Sequence, residues 1–221
     1  MSSPVTAPCC DNTVKGGVVS RVVLEVGSKT TFAIALDWPG WCRRGRDADE
    51  ALEALDNARA RYVRVVGVEG PGERVRVIGS VTGSTTTDFG APAMIGPWDE
   101  RPLARRERER QVAVLEDCWD YFDRAFAHAP DVLTKGPRGG GRDRRAILEH
   151  TKEAERAYCA KLGQRVTIRT PWPDQRAALQ QVLLHPVPSA AWPVSYALRR
   201  LAWHVLDHAW EMEDRGNGPT P

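Results

Sequence analysis

A change of hydrophobic period midway along the chain constrains its fold more than any other feature. Over Val18–Leu36 and Arg74–Ser80 the apolar residues come in short β-branched or alternating runs, whereas from Val112 onward they recur every three or four positions. A strand turns alternate side chains to one face and a helix turns every third or fourth. One chain must therefore build a sheet-containing part and a helical part, and an α+β fold is expected. With 221 residues there is material for one large or two small domains.

In the first part, Val18–Val26 and Thr30–Leu36 read as two strands around a Gly27-Ser28 turn, the pattern of a hairpin. Asp37-Trp38-Pro39-Gly40 stops the second strand, because proline cannot continue a ladder. Ala51, Leu52, Leu55, Ala58 and Tyr62 then recur at helical spacing over 47–65, with Asp47 or Asp49 as cap. Gly67 to Gly72 ends that helix, and Arg74–Ser80 alternates as a third strand. Residues 16–82 thus read as a β-β-α-β unit behind a disordered tail, 1–15. Residues 83–104, with Gly83, Gly90, Pro92, Gly96, Pro97 and Pro102, read as a linker or a long surface connection.

In the second part, Val112, Leu115, Trp119, Phe122 and Phe126 make one stripe on a helix over 105–128. After Gly136–Gly141, Asp143 can cap a helix over 144–162 whose inner face carries Ile147, Ala154 and Tyr158. Pro173 opens a third helix, with Leu179, Val182 and Leu183 inward, which His185-Pro186 ends. Pro193 precedes a fourth over 194–214, followed by Gly216 and a tail at 217–221. Four amphipathic helices, each needing a partner face, imply a four-helix bundle over 105–216.

Histidines supply the candidate chemistry. On the last helix Leu198, Leu201, Val205, Ala209 and Met212 share one side, and His204 and His208 sit at its edge, one turn apart. Two imidazoles at that spacing can hold one metal ion. His150 lies on the inward stripe of the second helix, so three ligands would converge and leave a coordination position open, as in catalytic sites. The competing reading is three core histidines satisfied by hydrogen bonds. Asp207 and Glu211 stand three residues after His204 and His208, where a carboxylate can receive a ligand's other N–H or merely solvate the helix. His128 and His185 fall at helix ends, off the inward stripes.

Asp207 aside, the segment Trp203-His204-Val205-Leu206-Asp207-His208-Ala209-Trp210-Glu211 resembles the last-helix motif of the DinB-like (YfiT-like) family, and Ile147-Leu148-Glu149-His150 with Ala154-Glu155 resembles its second-helix motif. The resemblance covers about half the chain. It implies a four-helix bundle with His150, His204 and His208 as metal ligands. It also implies a small-molecule substrate and thiol S-transferase or isomerase chemistry using a low-molecular-weight thiol such as mycothiol or bacillithiol. Zinc suits three imidazoles plus a thiol or water, with nickel, iron or manganese left open. Phe32 to Cys42, followed by the helix from Asp47 to Leu55, resembles the HicB-like antitoxin domain. That implies a binding or oligomerising module, and keeps open a non-catalytic regulatory protein with a structural metal or none.

Composition excludes little else. Net charge is +2, and Arg105, Arg106, Arg108 and Arg110 alternate with Glu107 and Glu109, which suits a solvated helix start better than a nucleic-acid groove. No apolar run approaches ~20 residues, so no transmembrane helix is expected, and Met1 to Asn12 lacks the pattern of a secretory signal. A cytoplasmic protein is the expectation. The five cysteines, without a C-x-x-C pair, are then reduced thiols, with Cys118 and Cys159 in the core and Cys9 and Cys10 in the tail. Gly139-Gly140-Gly141 lacks the Lys-Ser/Thr ending of a phosphate loop and reads as a flexible connection. The unpaired strand edge of the first unit suggests a homodimer.

Overall fold

The protein is described by a computed structural model covering residues 19–67, 70–135 and 141–216. The 1–15 and 217–221 tails, Val18, Cys9, Cys10 and Gly139-Gly140 lie outside these residues. The first two strands, β1 (Val19–Val26) and β2 (Thr31–Ala35), pair antiparallel, Val26 opposite Thr31. Their turn is tied down by Asp88, whose carboxylate accepts from Ser28 Oγ at 2.6 Å and from the backbone N–H of Lys29 at 2.7 Å. A Cβ on Gly27 would stand 2.4 Å from that carboxylate, so only glycine fits.

The unit differs from β-β-α-β in two ways. A further strand, β3 (Cys42–Gly45), follows the Pro-Gly turn and pairs with β2. Its sequence, Cys-Arg-Arg-Gly, shows no apolar alternation, and backbone pairing alone reveals it. The following helix is split at Ala58 into α1 (Ala48–Asn57), capped by Asp47, and α2 (Arg59–Val66). The last strand, β4 (Arg74–Thr82), returns parallel to β1, giving a mixed sheet of order β3-β2-β1-β4. Every residue of β2 is buried because both sheet faces are covered: Ala33 and Ala35 pack with Trp41 and Leu55, while Phe32 and Ile34 pack with Trp203.

The helical part contains α4 (Arg105–His128), α5 (Arg144–Lys161), α6 (Trp172–Leu184) and α7 (Val194–Gly216). Helix α4 packs on α7 and α6, and α5 packs on the same two. The buried stripe of α5 runs Ile147, Thr151, Glu155, Cys159, leaving Ala154 and Tyr158 at its half-buried edge rather than its centre. Glu155 is accommodated in that stripe by the indole N–H groups of Trp119 at 2.8 Å and Trp172 at 2.6 Å. The fold is thus α+β, with seven α-helices and one four-stranded sheet among the described residues. No helix among them is long and apolar enough to cross a membrane.

One apolar core runs through both parts, joining Val22, Trp41, Leu55 and Tyr62 to Leu115, Phe122, Leu201 and Val205. Gly40, at φ +92°, lets α7 approach the Pro-Gly turn, since a Cβ there would stand 2.8 Å from Leu206 Cδ1. The connection 83–104 carries a short helix, α3 (Thr85–Asp88), and a 3-10 turn, Pro97–Asp99, and is fixed at both ends of its course. On the sheet side, buried Glu25 accepts from Thr87 Oγ1 at 2.5 Å and from the N–H of Ala93 and Met94. On the helix side, buried Asp99 accepts from Ser195 Oγ at 2.6 Å and from Arg199 Nη2 at 2.8 Å.

Candidate metal centre

Helix α7 is buried on almost every side because α4, α5, the 3-10 turn and the sheet part all pack against it. His204 and His208 therefore cannot both point to water, and their relative exposures are only 5% and 8%. One turn apart, their rings stand edge to face with centroids 4.7 Å apart. His150 enters from α5, with ring centroids 5.1 Å from His204 and 5.0 Å from His208. Its Nε2 lies 3.2 Å from Nε2 of His204. One nitrogen from each of the three rings falls within 4.8 Å of the others. His150 is half-buried, on the same edge of α5 as Ala154 and Tyr158, so the cluster sits at the margin of the core with solvent on one side.

The environment keeps two of these rings uncharged. Burial, reinforced by His208 and Arg200, holds His204 well below the ordinary imidazole value of 6.5. Burial and the proximity of His208 and Arg142 lower His150 in the same direction. Neutral imidazoles keep the lone pairs that ligation needs. His208 Nδ1 lies 2.9 Å from Glu211 Oε2, and Arg215 pairs with the other carboxylate oxygen. Burial raises the Glu211 carboxyl, but His208 and Arg215 together outweigh it and bring it below the ordinary range. A carboxylate on Nδ1 fixes the tautomer that leaves Nε2 free to face the other rings.

Asp207 occupies a different place. Among the described residues its carboxylate makes no hydrogen bond to any of the three rings, and it opens onto a surface depression beside β3. His204 Nδ1 is buried without a hydrogen-bond partner among them. Such an orphan costs ~1–3 kcal/mol unless the cluster gives something back. His128 is exposed, with Nδ1 on the Arg124 carbonyl at 2.7 Å, and His185 is the exposed C-cap of α6. Arg215 escaped sequence reasoning, although its i,i+4 spacing from Glu211 was the signal for it. Cys42, Cys118 and Cys159 are free and buried. Burial raises all three thiols, that of Cys159 to about 12, so none is a ready nucleophile.

Comparison with models of known protein families, with curated proteins and with solved structures found no match.

Proposed function

We propose that this chain is a metal-dependent enzyme whose DinB-like four-helix bundle holds one divalent ion on His150, His204 and His208. The observation that carries the reading is the convergence of three ring nitrogens within 4.8 Å at the edge of the core. The donor set fits. Two ligands at ~2.0–2.1 Å from a tetrahedral zinc stand roughly 3.3 Å apart, close to the 3.2 Å between Nε2 of His150 and His204. The supported tautomer of His208 and the depressed basicity of the other two rings favour ligation without loss of a proton. Zinc suits three imidazoles best, with nickel, iron or manganese as alternatives.

Such an ion would supply Lewis acidity, lowering the pKa of a thiol or water bound to it. The protein's own residues orient the rings through Glu211 and Arg215, exclude water from the α7 side, and leave the His150 side open to a small molecule. On the motif resemblance, the reaction is an S-transfer or isomerisation using a low-molecular-weight thiol, in the cytoplasm. The deciding experiment is a mass-spectrometric metal count on protein purified from metal-replete cells. About one ion per chain is expected, and a metal-free protein would refute the reading.

The HicB-like sheet part serves, in this reading, as a dimerising module. Val75, Val77 and Ile78 on the edge strand β4 are 37–42% exposed, and among the described residues the outer edge of that strand has no neighbouring strand. Sedimentation should show a dimer at micromolar concentration, and a monomer at all concentrations would remove it.

A further inference from the structure

Beside the histidine cluster, α7 and β3 border a surface depression of about 470 Å³. That volume suits a small molecule. Its floor is aromatic: Phe32 and Trp203 meet edge to face at 6.1 Å, and Trp210 lies beside them. Its rim is charged, with Arg43 and Arg44 from β3 and Asp207 from α7.

These opposite charges face one another without joining. Both arginines lie within electrostatic reach of Asp207, yet among the described residues Asp207 forms no salt bridge and no hydrogen bond. Arg43 is held back. Its guanidinium carbon stacks 3.7 Å from the Trp210 ring centre, and Nη1 donates to the Cys42 carbonyl at 2.9 Å. The other charges around the depression are already engaged. Arg61 pairs with Glu213 at 2.6 Å and Asp214 at 2.9 Å, and Glu211 is held by His208 and Arg215. Among the described residues Arg44 and Asp207 therefore remain without an ion-pair partner, with Arg43, stacked but not ion-paired, beside them over an aromatic floor.

We propose that this depression binds a small molecule carrying an α-amino acid group, with its carboxylate on Arg43 and Arg44 and its ammonium on Asp207. A guanidinium fork matches a carboxylate in shape and charge. A phosphate would bring like charge against Asp207, and a simple amine would leave both arginines unanswered. The rest of the ligand lies over Phe32 and Trp203, where apolar groups gain from aromatic contact. Glu211 borders both this depression and the histidine cluster, so the bound molecule sits next to the candidate metal centre while needing nothing from it.

The test uses the full chain, metal-free and metal-loaded, titrated with each of the twenty standard L-amino acids by calorimetry and tryptophan fluorescence. At least one should bind saturably in both forms. Its amide and its des-amino acid should each bind about tenfold more weakly or worse, since each lacks one charge. Arg44→Gln and Arg43→Gln should weaken the amino acid by a similar factor. Asp207→Asn should erase the preference over the des-amino acid. His150→Ala should change none of this, which separates the proposal from the metal reading. Binding by no amino acid, binding indifferent to Arg44→Gln and Asp207→Asn, or binding of inorganic phosphate in place of amino acids would each overturn it.

Discussion

Replacing Asp99 with alanine tests how the two parts of the fold are joined. Asp99 is 3% exposed and its partner Arg199 is 7% exposed. The carboxylate accepts from Arg199 Nη2 at 2.8 and 2.9 Å, from Ser195 Oγ at 2.6 Å and from Gly96 N–H at 3.1 Å. Removing it strands a buried guanidinium, which costs ~3–5 kcal/mol. A domain of this kind has ~5–15 kcal/mol in all, so the denaturant midpoint should fall by roughly a fifth or more. Converting Arg199 to methionine as well removes the stranded charge, and Asp99→Ala/Arg199→Met should recover most of the loss. Urea unfolding of the parent, the single and the double variant gives the numbers. A loss below about 1 kcal/mol in Asp99→Ala, or a double variant worse than the single, would show that this pair does not fasten α7 to the 83–104 connection.

The shared core joining Trp41 and Leu55 to Leu201 and Val205 predicts one cooperative melting transition for the whole chain, and calorimetry resolving two would contradict it. Glu155 carries the pH prediction: burial raises its carboxyl above the ordinary 4.5 despite Arg176 and the two indole N–H groups, with Asp123 adding to the rise. A carboxyl raised in the folded state stabilises the fold below its unfolded value and loses that contribution as pH rises through the folded value. The stability of the parent relative to Glu155→Gln should therefore decline as pH rises above 4.5. Urea midpoints of the two proteins that stay parallel across that range would exclude a raised Glu155.

Periodicity made the helices legible. Arg105–His128, Arg144–Lys161, Trp172–Leu184 and Val194–Gly216 begin and end within a few residues of the expected spans, because stripes such as Val112, Leu115, Trp119 and Phe122 and breakers such as Pro173 and Pro193 mark them directly. Strand β3 was invisible because its ladder uses backbone groups, which Cys-Arg-Arg-Gly does not advertise. The packing of 83–104 was hidden for a related reason. Its glycines and prolines announce irregular backbone, while the carboxylates that fix it, Glu25 and Asp99, look like ordinary surface acids until the fold buries them. Within the site, the i,i+4 pair His204 and His208 and the inward stripe of α5 were enough to nominate all three rings the structure brings together. Spacing could not separate Glu211, which reaches His208, from Asp207, which is also three residues from a histidine but faces β3.

The central claim is that His150, His204 and His208 hold one ion together, and the metal content of five single alanine variants tests it directly. A set of three ligands that loses one keeps too few bonds to hold an ion tightly. His150→Ala, His204→Ala and His208→Ala should each lose most of the metal found in the parent, while His128→Ala and His185→Ala, whose rings lie outside the cluster, should retain it. Equal metal content in all five variants and the parent would contradict the account.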